Sequence, residues 1–341
     1  MKKCIVIFSA VVALLLLSSF KGKGDEDNPM FLVKDGGKYG YIDKTGKIVV
    51  EPRFDNAKDF SEGLAAVNKE GKWGYIDKNG NVVIDFQYNQ AFDFSEGLAR
   101  VRMDKGEFLY GFVDTSGIMV IEPLYKYLWD FSGGMAKVEI EGKKGYLDKS
   151  GKMVISPQYS YASDFSEGFA VVSIEGFSGG RGFIDKSGNN VISPQFDGAR
   201  CFTEGLAAVM INGKWGYVDK NGKVVIGAQF GDARPFSEGL APVEVGKYMV
   251  GKEGYIDRTG KIVVKAQYDA ASAFCENLAV VAKYDEKKQK MLYGVIDKKG
   301  RIVIQPQYEE VYDFSNGLAR VVVDGKWSYI DKNGNVVWTQ K

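Results

Sequence analysis

At 341 residues with 45% hydrophobic content, the chain holds enough apolar material for a large buried core. Its 45 basic and 44 acidic residues leave a net charge of +1, with both signs interleaved, so no electrostatic footprint for nucleic acid is present. Histidine is absent, which excludes His-based triads and His-ligated metal and removes the usual general base near neutral pH.

In chain order, residues 1–20 read as a secretory signal. Lys2 and Lys3 precede an apolar run from Cys4 to Leu17, followed by Ser18 and Ser19. The run is short for a membrane span, which needs about 20 residues. Export to periplasm, cell surface or medium is therefore expected, with an uncleaved N-terminal anchor as the alternative. Cys4 lies before the apolar run, where a lipid-bearing cysteine would not. Residues 21–29 (KGKGDEDNP) read as a disordered linker.

Residues 30–341 read as one repeat array: eight full repeats plus a terminal partial copy. A glycine recurs at Gly40, Gly74, Gly111, Gly145, Gly182, Gly216, Gly254 and Gly294, with Ser328 in the ninth place. A valine follows each glycine at the same 27-residue interval, from Val67 to Val321. Length varies only between that valine and the next glycine, from 7 residues before Gly74 to 13 before Gly294. A unit that tolerates insertion in one place has one outward loop and a packed remainder.

Each unit starts with an aromatic and β-branched strand such as Trp73–Asp77. An Asp-x-x-Gly turn follows, from Asp43–Gly46 to Asp331–Gly334, with Asp suited to a type I turn and Gly to the left-handed residue after it. A second strand such as Lys47–Val50 leads into a crossover. There Phe54, Ala57 and Phe60 are three residues apart, which predicts one helical turn with a single buried edge. The glycine after Ser-Glu becomes Asn277 in one copy, which predicts a left-handed residue. The unit closes on an apolar strand such as Phe169–Val172. Regrouped from that strand, the chain holds nine three-stranded antiparallel meanders, none stable alone. Whole meanders at both ends favour an open curved superhelix, with a closed propeller-like ring as the alternative. Ser328 reads as the mark of a terminal capping unit without a following neighbour.

The phrases KWGYIDKNG, VVI, PQF or PQY and F-S-E-G-L-A-x-V resemble the bacterial WG-containing repeat, or KWG repeat, over about Phe31 to Lys341. Lys144, Arg181 and Glu253 depart from its usual Trp or Tyr, and Phe86, Ala228 and Ala266 from its usual Pro. The resemblance implies a scaffold, largely in exported or surface proteins, without an established catalytic site and without a named ligand.

The nine repeated Asp residues invite a calcium reading, but each is followed by x-x-Gly and turn capping accounts for the pattern. The recurrent Glu62, Glu96, Glu167, Glu204 and Glu238 invite an acid/base reading, for instance a hydrolase acting on cell-wall glycan. Catalytic carboxylates form a unique pair, so periodic placement favours a turn role. Trp73, Trp215 and Trp327 share one position that favours packing between units. Cys201 and Cys275 sit at different repeat positions and read as buried free thiols. No metal or other cofactor is implied.

The long hairpins Arg102–Phe108, Ser173–Arg181, Glu244–Lys252 and Ala282–Leu292 share one place in the unit and should project from one rim. They nominate Phe108, Phe177, Arg181, Tyr248 and Tyr284 as partner-binding residues. Trp129, which breaks the register, joins them. The sequence thus predicts a non-catalytic scaffold for a protein or glycan partner in the bacterial envelope.

Overall fold

The computed structural model describes residues 28–174, 180–246 and 248–341. The expected signal segment, most of the linker, and Phe177 lie outside them.

Among the described residues the chain is all-β, and nine small antiparallel sheets follow one another in sequence. They span Met30–Phe54, Asn56–Tyr88, Gln90–Tyr125, Tyr127–Tyr159, Tyr161–Phe196, Gly198–Phe230, Asp232–Tyr268, Ala270–Tyr308 and Glu310–Thr339. We number them blades 1 to 9. Blade 2 shows the pattern: strand a is Asn56–Ala57, b is Ala65–Lys69, c is Lys72–Ile76 and d is Val82–Tyr88. Blade 1 shows strands b to d only.

The expected helical crossover is replaced by strand a. After the aromatic that ends strand d, one residue turns the chain, and the next two join the edge of the following sheet, with Ala57 opposite Val67. Lys58 N–H then donates to Ala66 O at 2.9 Å. Ala57 and Phe60 are buried because strand a faces neighbouring sheets. Their three-residue spacing therefore comes from an extended segment with a jog. The module is four-stranded in eight of the nine sheets.

Strand a ends in a two-residue turn. Ser61 and Leu64 exchange backbone hydrogen bonds of 2.9 and 3.1 Å. Glu62 and Gly63 have φ of 53° and 85°, the signature of a type I′ hairpin. Asn277 takes φ 68°, in line with the left-handed residue expected there.

The recurrent WG glycine is fixed by the adjacent strand d, which bulges opposite it. A Cβ on Gly74 would lie 2.5 Å from Ile84 O and 3.0 Å from Asp85 O. In blade 9 strand d is only Val336–Thr339, and Ser328 pairs directly with Thr339. Ser328 is thus tolerated because the bulge is absent, not because blade 9 lacks a neighbour.

That neighbour is blade 1, and the array closes into a nine-bladed propeller rather than an open superhelix. Each Asp-x-x-Gly glycine rests on strand d of the preceding blade: Gly117 on Ile84, Gly222 on Ile192, Gly334 on Ile304. The series ends with Gly46 of blade 1 against Val337 of blade 9. Tyr hydroxyls repeat the logic. Tyr75 donates to Phe92 O at 2.8 Å and Tyr217 to Arg234 O at 2.7 Å, each one blade on, while Tyr329 of blade 9 donates to Leu32 O of blade 1 at 2.8 Å. Phe31, Val33, Ile42, Leu318 and Tyr329 share one apolar cluster across this seam. No strand is exchanged between the ends, so side-chain packing closes the ring. The cores lie between blades: Tyr75 and Ile84 of blade 2 pack with Phe94 and Val101 of blade 3. Burying one such side chain contributes about 1.5–3 kcal/mol, so every blade depends on its neighbours.

Strands a of successive blades touch, as where Ser95 Oγ donates to Phe131 O at 2.8 Å. Strands d carry exposed Val82, Val83, Val224 and Val225. The a strands therefore ring the axis and the d strands form the rim. Antiparallel order then puts the a–b and c–d turns on one face and the b–c hairpins and crossovers on the other.

Candidate functional site

On the turn face the repeated polar residues are consumed by structure. Asp77 Oδ1 accepts Asn79 N–H at 2.9 Å and Asn81 N–H at 2.8 Å. Asp331 does the same with Asn333 and Asn335. The hydrogen bond from the Thr45 hydroxyl, aided by the Thr45 and Lys47 amides, holds Asp43 below the usual carboxylate range. These carboxylates cap their own turns. Among the described residues no three metal-ligating side chains converge.

The Ser-Glu pairs do more than form turns: they fasten one blade to the next. Ser61 Oγ donates to Phe94 O at 2.7 Å and Ser166 Oγ to Phe202 O at 2.6 Å. Glu167 accepts Gly205 N–H at 2.9 Å and pairs with Lys220 at 3.0 Å, both in blade 6. Glu238 with Asn277 and Lys298, and Glu276 with Gly317 and Lys332, repeat the clamp. In blade 3 the lysine is Thr115, and there Glu62 accepts two amides, Glu96 N–H at 2.7 Å and Gly97 N–H at 2.8 Å. The clamp spans 34 residues or more, which a local reading misses.

Cys201 and Cys275 are free thiols, partly exposed rather than fully buried. Burial still pushes Cys275 up to about 11, and its Sγ donates to Phe314 O at 3.1 Å in the place of the clamp serine. Trp215 packs into the core between blades 6 and 7 beneath the Arg200 guanidinium, 4.8 Å from its ring.

The hairpin face differs. Apart from the periodic β-branched residues of strands d, and Ile118 on the turn face, the exposed large hydrophobics gather here. They include Phe108, Leu124, Tyr127, Ile174, Tyr248, Met249 and Tyr284. The four long hairpins belong to blades 3, 5, 7 and 8, and among the described residues those of blades 3, 7 and 8 stand on this face. In blade 8 much of the extra length is ladder, the paired strands running on to Asp285 and Lys290.

Phe108 opens strand c of blade 3, exposed, with the Arg102 guanidinium 4.4 Å from its ring. Trp129 lies in strand a of blade 4, half-buried, with Lys137 Nζ 4.8 Å from its ring. Arg181 stacks 3.9 Å from the Tyr161 ring in blade 5. Tyr248 and Tyr284 are exposed on the adjacent blades 7 and 8. The structure thus places Phe108, Trp129 and Arg181 on three successive blades, 3, 4 and 5, and Tyr248 and Tyr284 on another pair.

The blade 7 hairpin is braced from below. Buried Glu244 accepts Gly251 N–H at 2.8 Å and Met249 N–H at 3.1 Å. Met249 is held at φ 65°. A strained, apolar, exposed residue fixed by a buried carboxylate is a preorganised surface feature. Sequence reasoning missed Met249, Leu124 and Tyr127. Comparing Leu124 with its sister positions, six of which hold Gln, is the signal that finds it.

The described "WG containing repeat" family signature matches eight times, at residues 39–73, 73–106, 110–143, 145–176, 182–215, 215–248, 254–287 and 293–327. No curated protein matches the chain significantly. Among solved structures, a eukaryotic initiation factor superposes with a TM-score of 0.65 at 11% identity, covering 92% of this chain and 96% of its own. Hsv2p of Kluyveromyces lactis gives 0.42 at 10% identity, covering 71% and 97%. At such identities the first likeness is one of fold.

Proposed function

The chain belongs to the WG-containing repeat family, and we propose that it is a non-catalytic binding scaffold, exported to the bacterial cell envelope, that engages a protein or glycan through its hairpin face. One observation carries this reading: large apolar side chains unexplained by the repeat are exposed on that face, and large exposed apolar patches on soluble proteins mark interaction sites. The recurrent carboxylates favour no catalytic role, since Asp77 caps its turn and Glu167 joins two blades. Export rests on the charged and apolar pattern of residues 1–20.

The test is a variant with the blade 3, 7 and 8 hairpins cut to the length found before Gly74. It should fold, as shown by an unchanged β-sheet circular dichroism spectrum. It should also lose capture of the protein or glycan that the parent retains from envelope extract. Capture of the same partner by the trimmed variant would overturn the reading. So would turnover of peptidoglycan or polysaccharide by the purified protein.

A further inference from the structure

The nine copies share one fold, so each copy is a control for the others. An apolar residue that the fold requires recurs through the sister copies; one that appears in only one or two copies answers to something else. Three such departures converge between blades 3 and 4. Leu124 stands where six sister copies hold Gln and one holds Arg53. Phe108 stands where seven sister copies hold Gly and the eighth holds Met291. Tyr127 stands where other blades hold Asn56, Gln90, Gly198, Asp232, Ala270 and Glu310, and only blade 5 also has a tyrosine, Tyr161.

The strand registers bring these residues together. Tyr110 pairs with Tyr125 at the end of blade 3's ladder, and the chain then turns at Lys126 into strand a of blade 4, which begins at Tyr127. The Glu107–Lys126 ion pair of 2.6 Å, between the residues beside Phe108 and Tyr127, holds the two segments side by side. Tyr127 in turn pairs with Glu139, which puts Ile140 next to it. Phe108 is 50% exposed, Leu124 68%, Tyr127 57% and Ile140 41%. With about 200 Å² for a large side chain, these four expose roughly 400 Å² of mostly apolar surface, within the range of the largest and often functional patches on monomers.

We infer that this patch is a contact between two copies of the chain, related by a two-fold axis. The area is the first reason. A stable interface of standard size covers about 800 Å² per partner, of which a little over half is apolar. The patch alone supplies about that apolar core. Charge is the second reason. The surrounding ionic side chains come in opposite pairs, Glu107 with Lys126 and Lys105 with Glu122. A surface with equal numbers of each sign presents no net charge to its own copy, and a two-fold axis can set cations of one copy against carboxylates of the other. The whole chain, at net charge +1, adds no long-range repulsion between copies. The long hairpins of blades 7 and 8 stand across the ring from the patch, so a partner held there is a separate matter from self-association.

The test is analytical ultracentrifugation of the purified protein from about 1 µM to about 1 mM, the range in which a weak dimer forms and dissociates. The parent should pass from monomer to dimer and stop there. The double variant Leu124→Gln, Tyr127→Gln takes residues that sister blades already carry, so its folding and melting should match the parent. Its dimer dissociation constant should rise about tenfold or more, as loss of central anchors does. Tyr248→Gln, across the ring, should leave it unchanged. A parent that stays monomeric throughout, one that forms open-ended chains, or a double variant that dimerises as tightly as the parent would each overturn the inference.

Discussion

Glu167 bears a conformational cost that its side chain offsets, and this is open to measurement. Its φ of 50° lies in the left-handed region, which costs a residue other than glycine about 1 kcal/mol or more. Its carboxylate accepts Gly205 N–H at 2.9 Å and pairs with Lys220 at 3.0 Å, both in the next blade. A charge-assisted bond contributes about 1.5–3 kcal/mol when shielded from water. The two side chains are 29% and 41% exposed, and screening brings the whole clamp to about 2 kcal/mol. Asn is at ease at positive φ, so Glu167→Asn loses the clamp but recovers about 1 kcal/mol of strain. The expected net cost at pH 7 is about 1 kcal/mol. Burial alone would raise the carboxyl, but the Lys220 hydrogen bond and the Gly205 amide outweigh it and hold Glu167 below its ordinary range. A depressed value in the folded state means stability that is present above the unfolded value of about 4.3 and lost as pH falls through the folded one. The cost of the substitution should therefore shrink in acid and reverse once the clamp is protonated, because the strain relief remains. Urea titrations of parent and variant at pH 7 and about pH 3 measure this, and faster hydrogen exchange at the Gly205 amide would locate it. An equal cost at both pH values, or a more stable variant at pH 7, would refute the reasoning.

Four further outcomes follow from the seams and the bulge. Thr203 holds the clamp-serine position in blade 6, yet its buried hydroxyl finds no partner; Thr203→Ser should let it reach the Phe236 carbonyl and raise stability by about 1 kcal/mol in a urea titration. Gly216→Ala should cost about 3 kcal/mol or more, because the new Cβ would lie 2.7 Å from Ala228 N and closer still to Ile226 O. Ser328→Gly, where no bulge presses, should cost under about 1 kcal/mol in the same assay. Tyr329→Phe leaves the Leu32 carbonyl without its donor and should cost about 1–2 kcal/mol, with faster hydrogen exchange in blades 1 and 9 than in blades 4 and 5.

What the sequence shows best are features fixed by neighbours a few residues away. The Asp-x-x-Gly turns were legible because Asp77 caps amides two and four residues on. The WG glycine was legible as a close approach, though not as an approach to the bulge of its own sheet. Strand a was not, since two residues are too few to show alternation and the Ala57–Phe60 spacing imitates a helical turn. Closure was hidden for a different reason. It depends on the angle accumulated over nine blades and on contacts such as Tyr329 with Leu32, 297 residues apart. The absence of an exchanged strand pointed to an open array, but Phe31 packing on Tyr329 at 5.4 Å does the same work. Of the proposed binding face, the hairpin positions were legible from length variation alone. Leu124 and Tyr127 were not, because they sit inside the invariant block and stand out only against their sister copies.

A weakly clamped seam of the ring follows from the same comparison. Where blade 9 meets blade 1, the Glu position holds Asn316, whose amide reaches only its neighbour Ser315 Oγ, at 3.3 Å. Among the described residues neither the Ser–carbonyl bond nor the carboxylate clamp crosses there. Closure at this point rests on aromatic packing, Phe31 with Tyr329 and Tyr39 with Trp327, and on one tyrosine hydroxyl. Stability in a repeat array is close to a sum of unit and interface terms. In a ring, no blade leaves without two seams breaking, whereas one broken seam merely opens it. The blade 9–blade 1 seam is accordingly a weak point of the ring, and opening there leaves eight seams intact. A protein divided this way keeps a stable scaffold under most substitutions on its hairpin face. That is the physical reason blades 3 and 4 can expose Phe108, Leu124 and Tyr127 without endangering the fold.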